Sequence, residues 1–392
     1  MGDTSVTVAP PKQAHRPRIL IVGGIDGHLR LDTYRQLMLR GYDVAVVAPS
    51  KLPSVEDIGC EVFIYRLARG VSLKDDLVAI NDLRRIVLDW QPDIVHAFDT
   101  KPNYLVPIAL RKFKHISIVR TINGLGRIFS SNGLKNQILR GIFFSLHRIA
   151  RPYVTRSVFQ NEHDRQLFLR RGLVSSYNAI LVPGSGIDTV SLRAFLNPEA
   201  RVCLRRELGW SNRTVYLLVA RLLVEKGVPE FIAAAKLLRK SRPDSLCVLV
   251  GPAGGAEFGA ISLESLREHK DDILYLGERR DVPALLNASD IFVLPTKYRE
   301  GIPRALLEAM AMGRPVIVSD MPGCADVVLD AGCGMVVPAG DADLLARAMD
   351  KICNADLVSM GRAGALSVDE RYAQGPIMDA LYRLYNNVHG SH

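Results

Sequence analysis

Glu300-Gly-Ile-Pro-Arg-Ala-Leu-Leu-Glu308-Ala-Met-Ala-Met-Gly-Arg-Pro-Val316 is the stretch on which the reading of the fold turns. An apolar β-run, Ile291 to Leu294, precedes it. Pro303 stands where a first helical position tolerates it, Gly313 closes the helix, and Pro315-Val-Ile-Val318 starts the next strand. Strand, turn, short helix and strand make one unit of a doubly wound parallel sheet. Glu300 stands at the turn and Glu308 about a turn and a half into the helix. Between them, backbone N–H groups are expected to face a pocket. N–H groups at a helix start suit a phosphate and carboxylates suit sugar hydroxyls, so the stretch points to a nucleotide-sugar.

Outward from that unit, the same alternation continues in both directions. Upstream lie strands at Thr214 to Val219, Leu246 to Val250 and Ile273 to Leu276, with helices at Glu199 to Leu208, Lys226 to Lys240 and Val282 to Ala288. Downstream come Met335 to Val337 and a helix from Asp341 to Cys353. The N-terminal half repeats the pattern. Its strands are Arg18 to Val22, Val44 to Val47, Val62 to Tyr65, Asp93 to Phe98, Ile116 to Val119 and Ser157 to Phe159, and Leu77 to Trp90 reads as a helix. The fold class is α/β, with two doubly wound parallel-sheet domains facing each other across a cleft. A disordered leader is expected over 1–17, a first domain over 18–192 and a second over 193–374. A C-terminal helix within 375–392 is expected to pack back on the first domain.

A chain of 392 residues with 48% hydrophobic and 23% charged residues has ample material for two cores. No apolar run reaches the length of a membrane span, and no N-terminal signal pattern is visible. The six cysteines have no Cys-x-x-Cys spacing, which argues against disulfides and a structural zinc and for a reducing cytosol. The net charge of +9 is concentrated. No Asp or Glu occurs between Asp99 and Glu162, while Lys101, Arg111, Lys112, Lys114, Arg120, Arg127, Lys135, Arg140, Arg148, Arg151 and Arg156 do. A nucleic acid, an anionic membrane surface or an acidic substrate would each account for such an excess.

Leu134 to Tyr153 sits inside that interval. Leu134, Ile138, Leu139, Ile142, Phe143, Leu146, Ile149 and Ala150 form one helical stripe flanked by Lys135, Arg140, Arg148 and Arg151. It reads either as a domain helix with a solvated basic edge or as a helix lying on anionic lipid. Nucleic acid is the third reading, and it lacks interleaved aromatics or a recognisable motif.

Three further clusters carry chemistry. Gly23-Gly24-Ile-Asp-Gly27 follows the first strand, but its spacing is not G-x-G-x-x-G and the second strand ends Ala48-Pro49-Ser50, without the acidic residue a dinucleotide ribose needs. No nicotinamide or flavin cofactor is expected; a glycine turn that lets a ligand approach the backbone is the better account. His96, Asp99 and Lys101 cluster where the sheet opens, and Arg120-Thr-Ile-Asn123-Gly-Leu-Gly126 repeats the arrangement one strand on. Arg221 at a strand end and Lys226 at a helix start place two cations five residues apart, enough to hold a diphosphate and the charge that grows on it when a glycosidic bond breaks.

Val219-Ala-Arg-Leu-x-x-x-Lys-Gly227, Leu294-Pro-Thr-Lys-Tyr-Arg-Glu-Gly-Ile-Pro303 and the Glu-x7-Glu spacing resemble the retaining glycosyltransferases of the GT-B fold, family 4. His96 to Asn103, Thr121 to Gly126, Phe159 to Arg165 and Val182 to Asp188 resemble the bacterial branch that extends undecaprenyl-diphosphate-linked saccharides for capsule, O-antigen or protein glycosylation. The resemblance implies that Arg221 and Lys226 bind the donor diphosphate with backbone N–H groups around Gly301, Ile302, Pro303 and Arg304. Glu300 would bind donor-sugar hydroxyls and Glu308 the ribose diol. The loop with Arg280 and Val282, and Gly251 after its strand, would frame the nucleotide. Gly23, Gly24, His96, Lys101 and Asn123 would stand on the acceptor side. Asn123 occupies a position where many members carry His, so no essential histidine carries over there.

The implied reaction is front-face, retaining and independent of a metal. It moves a sugar, read as an N-acetylhexosamine, from a UDP-sugar to a lipid-linked saccharide, with no cofactor. The implied place is the cytoplasm, peripheral on the inner face of the cell membrane. A UDP-sugar hydrolase or epimerase of the same fold is the competing enzyme reading, and a nucleic-acid-binding protein the competing non-enzyme one.

Overall fold

The computed structural model describes residues 16–68, 72–130, 133–255 and 259–389. The expected leader therefore lies, over residues 1–15, outside the described residues. Two parallel sheets organise the remainder. The first contains β1 (Arg18–Val22), β2 (Asp43–Ala48), β3 (Glu61–Ile64), β4 (Ile94–Phe98), β5 (Ser117–Ile122), β6 (Arg156–Phe159) and β7 (Ala179–Leu181), in the order β3-β2-β1-β4-β5-β6-β7. The second contains β8 (Thr214–Val219), β9 (Ser245–Val250), β10 (Ile273–Tyr275), β11 (Ile291–Leu294), β12 (Val316–Ser319) and β13 (Gly334–Val337), in the order β10-β9-β8-β11-β12-β13.

The strands are apolar on both sides because helices cover both faces. Along β1, Ile19 and Ile21 enter one core and Leu20 and Val22 the other. The second core packs against the helix Leu73–Trp90, which Ser72 caps by accepting the Asp75 N–H. The first core is closed by the C-terminal helix Gln374–His389. Its Ile377, Met378, Leu381, Leu384, Tyr385 and Val388 recur at helical spacing and are buried in that core, where the helix packs against β4 and the helix Leu31–Leu39. The helix Gln374–His389 thus packs on the domain that holds β1.

It crosses between the domains twice, and the crossings lie side by side. Ile187 N–H donates to Tyr372 O at 3.0 Å, and Gln374 N–H donates to Ile187 O at 2.9 Å. Ile187 and Leu192 already belong to the core of the second sheet.

Some element boundaries differ from the sequence reading for identifiable reasons. The helix expected from Lys226 begins at Val228, because Val224–Lys226 forms a 3-10 turn and Gly227 (φ 78°) is left-handed. A Cβ there would stand 2.0 Å from Pro295 O, so only glycine fits. Pro303 (φ −64°, ψ 126°) caps the helix Arg304–Ala311 instead of opening it.

The helix Leu134–Ala150 carries two apolar faces in place of the single stripe read from sequence. Phe143, His147 and Ala150 are buried, whereas Leu134, Ile138, Ile142 and Ile149 are 40–74% exposed. Arg140, Arg148 and Arg151 each donate to a backbone carbonyl, of Ile128, Arg171 and Gly172. Arg120 is removed from the basic surface altogether. It is fully buried, donates to Ser157 Oγ and His147 Nδ1, and burial pulls its guanidinium down to about 9. Among the described residues no helix is long and apolar enough to cross a membrane.

Candidate functional site

The C-terminal ends of both sheets open into one cleft of about 370 Å³ between the domains. Of the residues expected to act on a ligand, Arg221, Lys226, Glu300, Gly301, Ile302, Arg304 and Asn123 line it. The left-handed Gly227 turns Lys226 back over the end of β11, where its Nζ lies 2.6 Å from Glu300 Oε1 and 5.0 Å from the Tyr298 ring centroid. Both side chains are mostly covered, 13% and 20% exposed, so the pair is preset with little freedom to lose. Glu308 does not line the cleft; its Oε1 accepts from Arg304 Nε at 2.8 Å, one helical turn back. Gly251 follows β9, while Arg280 and Val282 lie beyond β10; none of the three lines the cleft.

The backbone N–H groups expected to face a pocket are partly taken by the other domain. Gly301 N–H donates to Asn123 O at 3.0 Å, and Ile302 N–H donates to Gln160 Oε1 at 3.3 Å. Leu125 and Gly126 N–H both donate to Arg299 O, and Gly124 bridges Glu300 in antiparallel fashion. Gly124 is required there: its φ is 101°, and a Cβ would stand 2.4 Å from the Glu300 carbonyl carbon. Ion pairs flank this clasp. Arg299 reaches the fully buried Asp164 at 2.9 Å, and Arg127 reaches Glu225 at 2.6 Å. The neighbours of Lys226 and Glu300 are thus each held by the opposite domain.

Two residues expected on the acceptor side do not line the cleft. His96 is fully buried, 2.5 Å from Tyr385 Oη and 2.7 Å from Thr121 Oγ1, and its ring stacks on Phe98. Burial, with the Arg30 charge adding to it, pulls its imidazole down to about 3, so it is neutral. Lys101 turns away to Asp76 (2.5 Å) and Ala68 O and does not line the cleft. Gly23 and Gly24 stand behind the cleft wall: Gly23 N–H donates to Val47 O, and Gly24 N–H donates to Asp99 Oδ2 at 2.7 Å. The wall itself is made by Arg30, Asp99, Thr100 and Asn103, with Gln160 and Ser185 further along. Asp99 and Asn103 lie inside a polar cluster visible in the sequence. Arg30 had no such signal, since it follows the glycine turn by several residues and reads as a helix-surface cation.

Among the described residues, no group of three or more His, Cys, Asp or Glu could hold a metal ion.

Residues 22–188 match the family described as Glycosyltransferase Family 4, and residues 204–363 the family described as Glycosyl transferases group 1. The chain is 27% identical over 374 residues to the N,N'-diacetylbacillosaminyl-diphospho-undecaprenol alpha-1,3-N-acetylgalactosaminyltransferase of Campylobacter jejuni, covering 92% of this chain and 95% of that protein. It is 27% identical over 357 residues to the UDP-Gal:alpha-D-GlcNAc-diphosphoundecaprenol alpha-1,3-galactosyltransferase of Escherichia coli, covering 88% and 89%. Among solved structures, Anabaena Alr3699/HepE in complex with UDP superposes with a TM-score of 0.76 at 19% identity, covering 94% of this chain and 100% of that one. WaaG, a glycosyltransferase involved in lipopolysaccharide biosynthesis, gives 0.73 at 18%, covering 93% and 98%. These two likenesses concern the fold.

Proposed function

The chain belongs to the glycosyltransferases, joining a family 4 domain to a group 1 domain in the GT-B arrangement, and from that premise we propose that it extends a polyprenyl-diphosphate-linked saccharide with a sugar drawn from a UDP-sugar, with retention. The observation that carries the reading is the meeting of Arg221, Lys226 and Glu300 in one cleft closed by the opposite domain. Two cations beside a carboxylate suit a diphosphate joined to a sugar: the cations take the phosphate charge, and Glu300 accepts from sugar hydroxyls. The pair Lys226–Glu300 then separates its duties, each group exchanging its partner for a part of the donor. Gly251, Arg280 and Val282 would frame the nucleobase from the strand ends beyond the cleft, and Glu308 would leave Arg304 to accept from the ribose diol.

As the glycosidic bond breaks, negative charge accumulates on the leaving diphosphate, where Arg221 and Lys226 stabilise it. The leaving phosphate oxygen takes the proton of the acceptor hydroxyl as that hydroxyl attacks from the same face. No side-chain nucleophile and no metal ion is needed in this scheme. The donor sugar is an N-acetylhexosamine in this reading. One relative's name specifies N-acetylgalactosamine and the other's galactose, both delivered in alpha-1,3 linkage to a diphospho-undecaprenol-linked sugar.

A lipid-linked acceptor brings the enzyme to a membrane. The exposed Leu134, Ile138, Ile142 and Ile149 fall within an arc of about 80° on their helix, beside Lys135 and a domain segment free of acidic residues. This face would rest on anionic lipid, placing the protein at the cytoplasmic surface of the membrane.

The test is mass spectrometry of products from UDP- and GDP-sugars offered with short polyprenyl-diphosphate saccharides. One donor is expected to add the mass of a single N-acetylhexosamine residue to the acceptor with release of UDP. Free UDP and free sugar without an extended acceptor would sink the transferase reading in favour of hydrolysis.

A further inference from the structure

The two domains place the same pair of charges at the same topological position. In the second sheet the winding reverses between β8 and β11; Lys226 follows β8 and Glu300 follows β11. In the first sheet it reverses between β1 and β4; Arg30 follows β1 and Asp99 follows β4. Lys226 lies 2.6 Å from Glu300, and Arg30 Nη2 lies 3.6 Å from Asp99 Oδ1. Both pairs line the same cleft, one on each wall. The crevice at such a reversal is where open α/β sheets take their ligands. One reversal is already used in the transfer reading and the other is not.

The second pair is built for a ligand. Asp99 adopts φ 70°, a left-handed conformation seldom used by a residue with a side chain. The Gly24 N–H, 2.7 Å from Oδ2, fixes the carboxylate while the side chain stays 30% exposed to the cleft. The Arg30 guanidinium is stacked 4.5 Å over the Phe98 ring and only 14% exposed, so its direction is set before anything binds. Beside them, Asn103 is 2% exposed and lines the cleft. Its Nδ2 donates to Thr121 O, and its Oδ1 is buried with no hydrogen-bond partner. A buried acceptor without a partner, on a residue that lines the cleft, is satisfied if a ligand donor reaches it.

We propose that Asp99 and Asn103 accept hydrogen bonds from hydroxyls of the acceptor sugar, the attacking one included, and that Arg30 pairs with the diphosphate linking that sugar to its lipid. The inference rests on the transferase reading and names the acceptor subsite within it. Two acceptor groups and one cation match a sugar whose free hydroxyls are donors and whose anomeric oxygen carries phosphate. No proton passes to Asp99; it orients the nucleophile.

The experiment measures initial rates of the full chain against a synthetic polyprenyl-diphosphate monosaccharide and, separately, against the UDP-sugar. UDP affinity is read by calorimetry and the fold by circular dichroism. Asp99→Asn and Arg30→Gln should each raise the acceptor KM roughly tenfold to a hundredfold, as expected for losing a charge-assisted bond. Donor KM and UDP affinity should stay within about twofold of wild type. Arg30→Gln should also lose the wild-type preference for the diphosphate-linked acceptor over the same sugar as a simple alkyl glycoside. Arg30 keeps the proposal open to test even where Asp99→Asn disturbs its strained turn. Wild-type transfer with unchanged acceptor KM in Arg30→Gln overturns the subsite alone, as does an equal loss of UDP affinity in a folded variant. Failure of the wild-type chain to extend any lipid-linked acceptor overturns the transferase reading and the subsite with it.

Discussion

The guanidinium of Arg299 lies 2.9 Å from the Asp164 carboxylate, so the residue next to Glu300 is anchored in the opposite domain. Asp164 is fully buried, and burial pushes its carboxyl up against the pull of Arg299. Removing one partner of a buried pair leaves the other uncompensated, at a cost of about 3 kcal/mol. Asp164→Ala should lower stability by that order in urea titrations. Where it folds, it should lower kcat more than donor KM, because Glu300 loses its anchor. Wild-type stability together with a wild-type kcat would show that the clasp is dispensable.

Lys226 carries the sharpest catalytic prediction. Lys226→Ala removes a cation from the cleft and leaves Glu300 without its 2.6 Å partner. Loss of one group that stabilises developing charge costs a factor of about 10² to 10³ in rate. Transfer should fall by at least that much with the circular dichroism spectrum unchanged. Glu308→Ala should also abolish transfer, through the ribose. Full activity in either variant would dismiss the corresponding assignment.

Metal dependence is a separate expectation. Arg221 and Lys226 are assigned the work a divalent ion does in other phosphate sites. Transfer assayed after dialysis against EDTA should keep its rate, and restoration by added Mg²⁺ or Mn²⁺ of a rate lost to EDTA would refute the scheme.

The strand plan and the presence of Arg221, Lys226 and Glu300 on the second domain's wall of the cleft were readable because their signals are local. Thr214 to Val219 and Ile291 to Leu294 form strands over the residues expected. Arg221, Lys226 and Glu300 each stand just beyond a strand end, where a parallel sheet gathers polar groups. The first domain's wall was less legible. His96 stands beside Asp99 in sequence, but the helix that buries it comes from the far end of the chain: Tyr385 is 289 residues away. Arg120 reads as surface charge until Ser157, His147 and Leu173 O are brought around it. Gly301 and Ile302 N–H groups look available to phosphate from their helix position, and only the packed domains reveal Asn123 and Gln160 as their acceptors.

The helix Leu134–Ala150 yields a membrane prediction that rests on its exposed apolar face. Arg140, Arg148 and Arg151 hold backbone carbonyls, so a triple replacement would perturb the fold as well as any lipid contact. Leu134 and Ile138, 74% and 59% exposed, are the cleaner probes. Leu134→Ser with Ile138→Ser should weaken co-sedimentation with phosphatidylglycerol vesicles severalfold while leaving thermal stability intact. Unchanged sedimentation would make this an ordinary domain helix with a solvated edge.

The buried histidines set an acid limit on stability. His96 is neutral in the folded chain down to about pH 3, whereas an unfolded histidine protonates near pH 6.5. Between those values the unfolded state binds a proton that the folded state refuses, so stability falls as pH drops below about 6.5. His147, buried against Arg120, is also held well below the usual range and acts in the same direction. Each histidine contributes a slope of up to about 1.4 kcal/mol per pH unit. Between pH 7.5 and 5.0, His96 should therefore cost the wild-type chain about 2 kcal/mol in urea titrations. His96→Asn removes that proton site, at some fixed cost from the lost bonds to Tyr385 and Thr121. The variant should be less stable at pH 7.5 yet lose about 2 kcal/mol less than wild type on going to pH 5.0. Parallel pH profiles for the two proteins would mean that His96 accepts its proton in the folded state and that the hydrogen-bonded core between β4 and the C-terminal helix admits water.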